Sequence, residues 1–216
     1  MGRNASPPTG EQGLLIGLRD FFMAENEDQL RLAYVAATGA LAPGAIPAPE
    51  AANVDWEETL FGFNRLFVGP MALQAPPYSS VWLSPEPYLM GKSALDARHV
   101  YHMLGLESPA PGALPDDHLG LELDALAAME ESLGREDRQE LRELRRYFLE
   151  RHVLKWAPRF CARILELESA PPAVAAMAAA LAAWLEDARL DLSHGGKSGR
   201  PAAHSFTTSE TMEVRS

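Results

Sequence analysis

The chain has 216 residues, 47% of them hydrophobic, and 30 acidic against 19 basic side chains give a formal net charge of −11. That apolar content supports a packed core and excludes a disordered chain, and the length suits one domain or two small lobes. The acidic balance argues against a nucleic-acid partner, which needs a basic face, and Cys161 as sole cysteine excludes an internal disulfide or a Cys-rich zinc site.

Residues 1–12 are expected to be a flexible N-terminus, and residues 1–13 lack the apolar segment of a secretory leader. Leu14, Leu15, Leu18, Phe21 and Phe22 then recur at helical spacing, and Glu27 to Thr38 reads as a second helix. Gly39, Pro43, Gly44, Pro47 and Pro49 make 39–53 a loop. Asp55 suits an N-cap before the stripe Trp56, Leu60, Phe63, Phe67, which Gly69-Pro70 ends. Residues 70–92 form a long connection rich in proline that also carries Tyr78, Val81, Trp82, Leu83 and Tyr88. A loop with so many large apolar side chains is expected to pack over a helical core, and long ordered loops often carry function.

Ser93 can cap the next helix, with Ala94, Ala97, Tyr101 and Leu104 inward and Gly105 as its stop. Gly105, Pro109, Pro111, Gly112 and Pro115 read as a hinge over 105–115. Asp116 or Asp117 is expected to cap a helix through Leu119, Leu123, Leu126, Met129 and Leu133, broken at Gly134. A further helix from near Glu136 runs through Leu141, Leu144, Phe148 and Val153, and Pro158 is expected to kink or divide it. Pro171-Pro172 opens an Ala-rich helix to about Leu192, and 193–216 reads as a disordered tail. The run Ala173 to Leu185 is too short to span a bilayer, so a cytoplasmic protein without membrane insertion is expected. No segment alternates with β-branched residues. The fold class is therefore all-α: a helical bundle of two lobes, 13–104 and 116–192, joined by the 105–115 hinge. Cys161 lies in an apolar helical stretch and is expected to be buried and inert.

Enzymatic signatures mostly fail. Gly196-Lys197-Ser198 resembles the end of a phosphate loop, but the pattern needs glycine at position 191, where Asp191 stands. His99 and His102 are three apart on one helix and could share a metal, yet no second E-x-x-H pair completes a set, so a solvated face is the favoured reading. The rival function is a small helical metal- or nucleotide-dependent enzyme, resting on His99, His102, His118 and the many carboxylates. The informative cluster runs from Pro115 through Asp116, Asp117 and His118 to Glu122. Free N–H groups at a helix start favour carboxylates there, and His118 can pair with Glu122 one turn on. One reading is a capped helix start with an ion pair; the other is a polar site at the hinge where a cationic peptide docks on Asp116 and Asp117.

Three segments in order carry a family resemblance: Phe63-Asn64-Arg65-Leu66-Phe67-Val68-Gly69-Pro70, then Ala75-Pro76-Pro77-Tyr78-Ser79-Ser80-Val81-Trp82-Leu83-Ser84, then Pro115-Asp116-Asp117-His118-Leu119-Gly120-Leu121-Glu122-Leu123. With Phe148, His152 and Trp156-Ala157-Pro158-Arg159-Phe160 downstream, the chain resembles the TorD/DmsD family of cytoplasmic chaperones for molybdenum-containing oxidoreductases. The resemblance implies an all-helical, TorD-like fold without catalysis and without a cofactor of its own. It implies binding of the twin-arginine signal peptide of a molybdoenzyme catalytic subunit, held until its cofactor is inserted. The family's hinge motif implies leader-binding roles for Pro115, Asp117 and His118, and its aromatic loop residues correspond to Tyr78 and Trp82.

A twin-arginine leader has a basic front and an apolar middle, so it needs acidic groups beside an apolar groove. Asp116, Asp117 and Glu122 are candidates for the first. Tyr78, Val81, Trp82 and Leu83 either line the second or pack into the core. Residues 107–151, around the motif, hold 12 acidic and 6 basic groups, most of them expected to form a solvated face. Arg65 is expected to pair structurally with a loop carboxylate or carbonyl. A monomer or a dimer exchanging a lobe through the hinge is compatible with the sequence.

Overall fold

Apolar stripes at helical spacing become helices throughout the computed structural model, which describes residues 10–84, 91–106 and 114–193. The elements are α1 (Gly10–Phe22), α2 (Glu27–Gly39), a 3₁₀ turn (Ala51–Asn53), α3 (Trp56–Phe67), α4 (Ser79–Leu83) and α5 (Lys92–Met103). They continue with α6 (Leu119–Arg135), α7 (Gln139–Phe148), a π turn (Leu149–Val153), α8 (Leu154–Glu166) and α9 (Pro172–Ser193). The described residues form no strand beyond one isolated antiparallel bridge between Tyr78 and His118.

The starts of α2 and α3 follow from side-chain acceptors for otherwise orphan N–H groups. Asn26 accepts from Gln29 N at 3.0 Å before α2, and Asp55 accepts from Glu58 N at 3.0 Å before α3. Helix α1 packs on α2 and α6, and α8 packs on α9. The α1–α2 crossing is close because Gly17 has no side chain: a Cβ there would stand 2.6 Å from Ala37 N. Apolar side chains on both sides of 105–115, among them Leu18 and Phe21 of α1 and Leu119 and Leu123 of α6, belong to one continuous core. Through it runs an aromatic chain, Phe21–Phe63–Phe67–Phe160, with ring centroids 4.8–5.9 Å apart. The Phe21–Phe63 and Phe63–Phe67 contacts are edge-to-face, a packing that adds to the burial of the rings.

Several boundaries depart from expectation. Helix α1 begins at Gly10, so residues 10–12 are helical, and 1–9 lie outside the described residues. The central part of the expected hinge, 107–113, and the tail from 194 also lie outside them. Ser93 is not the cap of α5; Gly91 holds that position and Ser93 lies inside the first turn. Neither Asp116 nor Asp117 caps α6: His118 does, its side chain accepting from Gly120 N. Gly134 does not break α6, which continues to Arg135. The connection 70–92 contains a short helix, α4, that no periodicity announced. Pro158 neither ends nor divides α8; the irregularity lies one turn earlier, in the π turn Leu149–Val153. A proline lacks the N–H for the i−4 bond and crowds that carbonyl, and a widened turn just ahead accommodates both.

Candidate functional site

The site is assembled from two chain segments that meet edge to edge. Leu119 N donates to Pro77 O at 2.8 Å and Ser79 N to Asp117 O at 3.0 Å, so residues 77–79 and 117–119 form a short ladder. The motif of residues 115–118 and the aromatic loop after Pro76-Pro77 are thus one structural unit, although 37 residues separate Ser80 from Asp117.

Asp117 points inward and is fully buried. Its Oδ2 accepts from Ser80 N at 2.8 Å, tethering the first turn of α4. Its Oδ1 and the hydroxyls of Ser79 and Ser80 are enclosed without a protein hydrogen-bond partner. His118 is also buried: Nδ1 accepts from Gly120 N at 3.0 Å, and the edge of Tyr78 meets its ring at 5.2 Å. Burial pushes the imidazole down to about 4, against the pull of Asp117, so His118 is neutral and its Nδ1 is free to accept.

Glu122 does not pair with His118. It is fully buried, with Oε1 2.6 Å from His152 Nε2 of the π turn and Oε2 accepting from Trp156 Nε1 at 2.9 Å. Burial raises the Glu122 carboxyl above its usual range, despite His152 and Trp156. Burial works against protonated His152, but Glu122, with Asp96 and Asp117, outweighs it and leaves the imidazole raised. The cluster links α6 to the π turn and to α8.

Asp116 is the acidic group that reaches the edge. Tyr101 donates to its backbone oxygen at 2.8 Å, while Arg98 on α5 holds its carboxylate, Nε to Oδ2 at 2.6 Å, with Nη2 on the same oxygen. Pro115 and Tyr78 are half-buried. Trp82 is half-buried as well: its indole donates to Pro76 O at 2.8 Å and its ring edges onto Phe160, while the Arg159 guanidinium sits 5.7 Å above it. Arg159 also donates to Trp82 O at 2.7 Å.

The residues read from sequence therefore divide. Half-buried Pro115, Tyr78 and Trp82, with Asp116 at 12% side-chain exposure, make up the rim of the two joined segments, whereas Asp117, His118 and Glu122 are more deeply buried. The sequence reading missed Arg98 and the partnership of Glu122 with His152 and Trp156. Arg98 stands one turn before Tyr101, but nothing in its spacing announces Asp116 as its partner. Arg65 donates to Ser169 O at 2.7 Å, a structural role. His99 and His102 are exposed, and the described residues contain no group of His, Cys, Asp and Glu that could hold a metal. Cys161 is buried, its thiol pushed up to about 12 by burial. None of the described helices is long and apolar enough to cross a membrane.

Comparison with known proteins fits this architecture. Residues 20–162 match the family model described as nitrate reductase delta subunit. The chain is 35% identical over 98 residues to the Tat proofreading chaperone DmsD of Salmonella typhi, covering 45% of each chain. It is 31% identical over 120 residues to the chaperone protein TorD of Psychrobacter sp., covering 55% of this chain and 52% of that one. The chain spans about half the length of these curated relatives. In fold it is similar to the crystal structure of a candidate redox enzyme maturation protein from Archaeoglobus fulgidus, with a TM-score of 0.57 and 23% identity over 85% of this chain and 99% of that one. The all-helical chain belongs to the nitrate reductase delta subunit family.

Proposed function

We propose that this protein is a cytoplasmic chaperone that binds the twin-arginine signal peptide of a molybdenum-cofactor oxidoreductase subunit and retains the unfinished subunit until its cofactor is inserted. The observation that carries this reading is the joining of the aromatic loop to the acidic motif, Tyr78 pairing with His118, Ser79 with Asp117 and Pro77 with Leu119. Its relatives named DmsD and TorD are chaperones, the former a Tat proofreading chaperone, which supports the same role here. The leader's basic segment would meet Asp116 and its apolar segment would lie against Tyr78, Trp82 and exposed Leu83. Asp117 and His118 act as positioning residues that fix the two segments to each other, and Glu122 ties the following helix, α6, to His152 and Trp156. The role is binding, with no catalytic step and no cofactor held by this chain.

Calorimetry tests this with a synthetic peptide carrying a twin-arginine segment and a following apolar stretch. Saturable binding is expected, weakened about tenfold or more when both arginines become glutamine, the worth of a charge-assisted hydrogen bond. Absence of saturable heat, or equal affinity for the arginine-free peptide, would contradict the reading.

A further inference from the structure

The acidic group best placed to receive a cationic peptide is already occupied from within the chain. Asp116 keeps its carboxylate at the rim, and Arg98 covers it with two donors, Nε and Nη2, on Oδ2. Arg98 itself is close to half exposed, with a side-chain exposure of 45% against 12% for Asp116. Its backbone is fixed on α5, whose Ala94, Ala97 and Tyr101 are buried, while Tyr101 holds the Asp116 backbone independently of the ion pair. The Arg98 side chain can therefore swing into solvent without moving either segment. A guanidinium fork is also the group that a leader arginine would bring to the same carboxylate.

We propose that Arg98 is an internal stand-in for a client arginine: it occupies the Asp116 subsite in the free protein and is displaced when an arginine-bearing peptide binds. This rests on the leader-binding reading and adds its regulation. An arginine peptide must exchange one guanidinium for another, so its gain at Asp116 is lowered by the release of Arg98, whereas a peptide offering a less suitable cation, such as lysine, loses the exchange. The pair thus discriminates by geometry as well as charge and keeps the rim closed to incidental basic segments.

A double-mutant cycle read by calorimetry tests this, using the full chain and the twin-arginine peptide. Removing a competitor of partly exposed type should tighten binding of Arg98→Ala about two- to five-fold. The same substitution in an Asp116→Asn background should give no gain, because the contested carboxylate is gone. Circular dichroism melts check that all three variants are folded, and Arg98→Gln serves as a second variant with a longer side chain. Binding by the wild-type protein with unchanged or weaker affinity in both Arg98 variants would overturn the stand-in while leaving the leader reading intact. An equal gain in both backgrounds would also overturn it, since that signals a general charge effect. No peptide binding by any of the proteins would remove the leader reading and the stand-in together.

Discussion

His118 sits where protonation costs the fold. Its Nδ1 accepts from Gly120 N, and an imidazolium has no acceptor to offer. Below its unperturbed value of 6.5 the unfolded chain takes up a proton that the folded chain refuses until about pH 4. Stability is therefore full above that window and is lost as pH falls through it, by about 3 kcal/mol at 1.36 kcal/mol per pKa unit. Glu122 and His152 are both raised, so their contributions run the other way, present at low pH and lost as pH rises. Urea titrations of wild type and His118→Asn across pH 4 to 6.5, roughly the window above, separate the two. Asparagine offers the same cap acceptor without titrating, and its curve should lack the acid loss; an identical slope in both proteins would refute the assignment. That Pro115 to His118 form a polar cluster at a helix start was legible at this scale. Which way they point was not. Asp117 is buried by its bond to Ser80 N, and Glu122 by His152 and Trp156, all partners remote in sequence.

Helix α1 owes its place to a residue that carries no side chain. The Gly17 Cα faces Ala37, and a Cβ at position 17 would lie within 2.8 Å of Ala37 N, Cα and Cβ. Two of those atoms are backbone, so α1 and α2 would have to separate. Gly17→Ala should destabilise by about 2–3 kcal/mol as an overpacking change and lower Tm by roughly 4–12 °C. A thermal melt checks it; a wild-type or higher Tm would show the crossing to be slack. The long helices were legible because their apolar stripes sustain a 3.6-residue period over three turns or more, as in α3 with Phe63, Leu66 and Phe67 buried. Helix α4 was not, because five residues are too few to show a period and its start is tethered by Asp117 rather than by a local cap. Pro158 was expected to kink or divide the helix, but α8 runs through it and the irregularity lies a turn earlier. Sequence names the residue that breaks the ladder, while the chain relieves it where neighbours permit, here at the π turn that also presents His152 to Glu122.

Across the whole molecule the acidic excess does not translate into a bare acidic patch at the site. Asp116 is covered by Arg98, Asp117 is enclosed, and Arg159 caps Trp82. Elsewhere acids tie elements together: Glu130 and Glu11 both meet Arg145, and Trp184 donates to Glu11 at 2.9 Å, joining α1, α6, α7 and α9. The overall charge of −11 still draws a cationic peptide inward at low ionic strength. On the proposed reading, affinity at the rim is then decided by exchange with Arg98 and by contact with Tyr78 and Trp82. A groove between α1, α2 and α6, about 770 Å³ and bordered by Asp20, Glu25 and Asp124, is the competing acidic surface, although Arg19 pairs with both aspartates there. The central claim is that the leader binds where residues 76–82 meet residues 115–118. Amide chemical-shift mapping of the full chain during titration with the twin-arginine peptide tests it most directly. The account predicts perturbations clustered at Tyr78 to Trp82, Arg98 and Asp116 to His118, and perturbations confined to the α1–α2–α6 groove would contradict it.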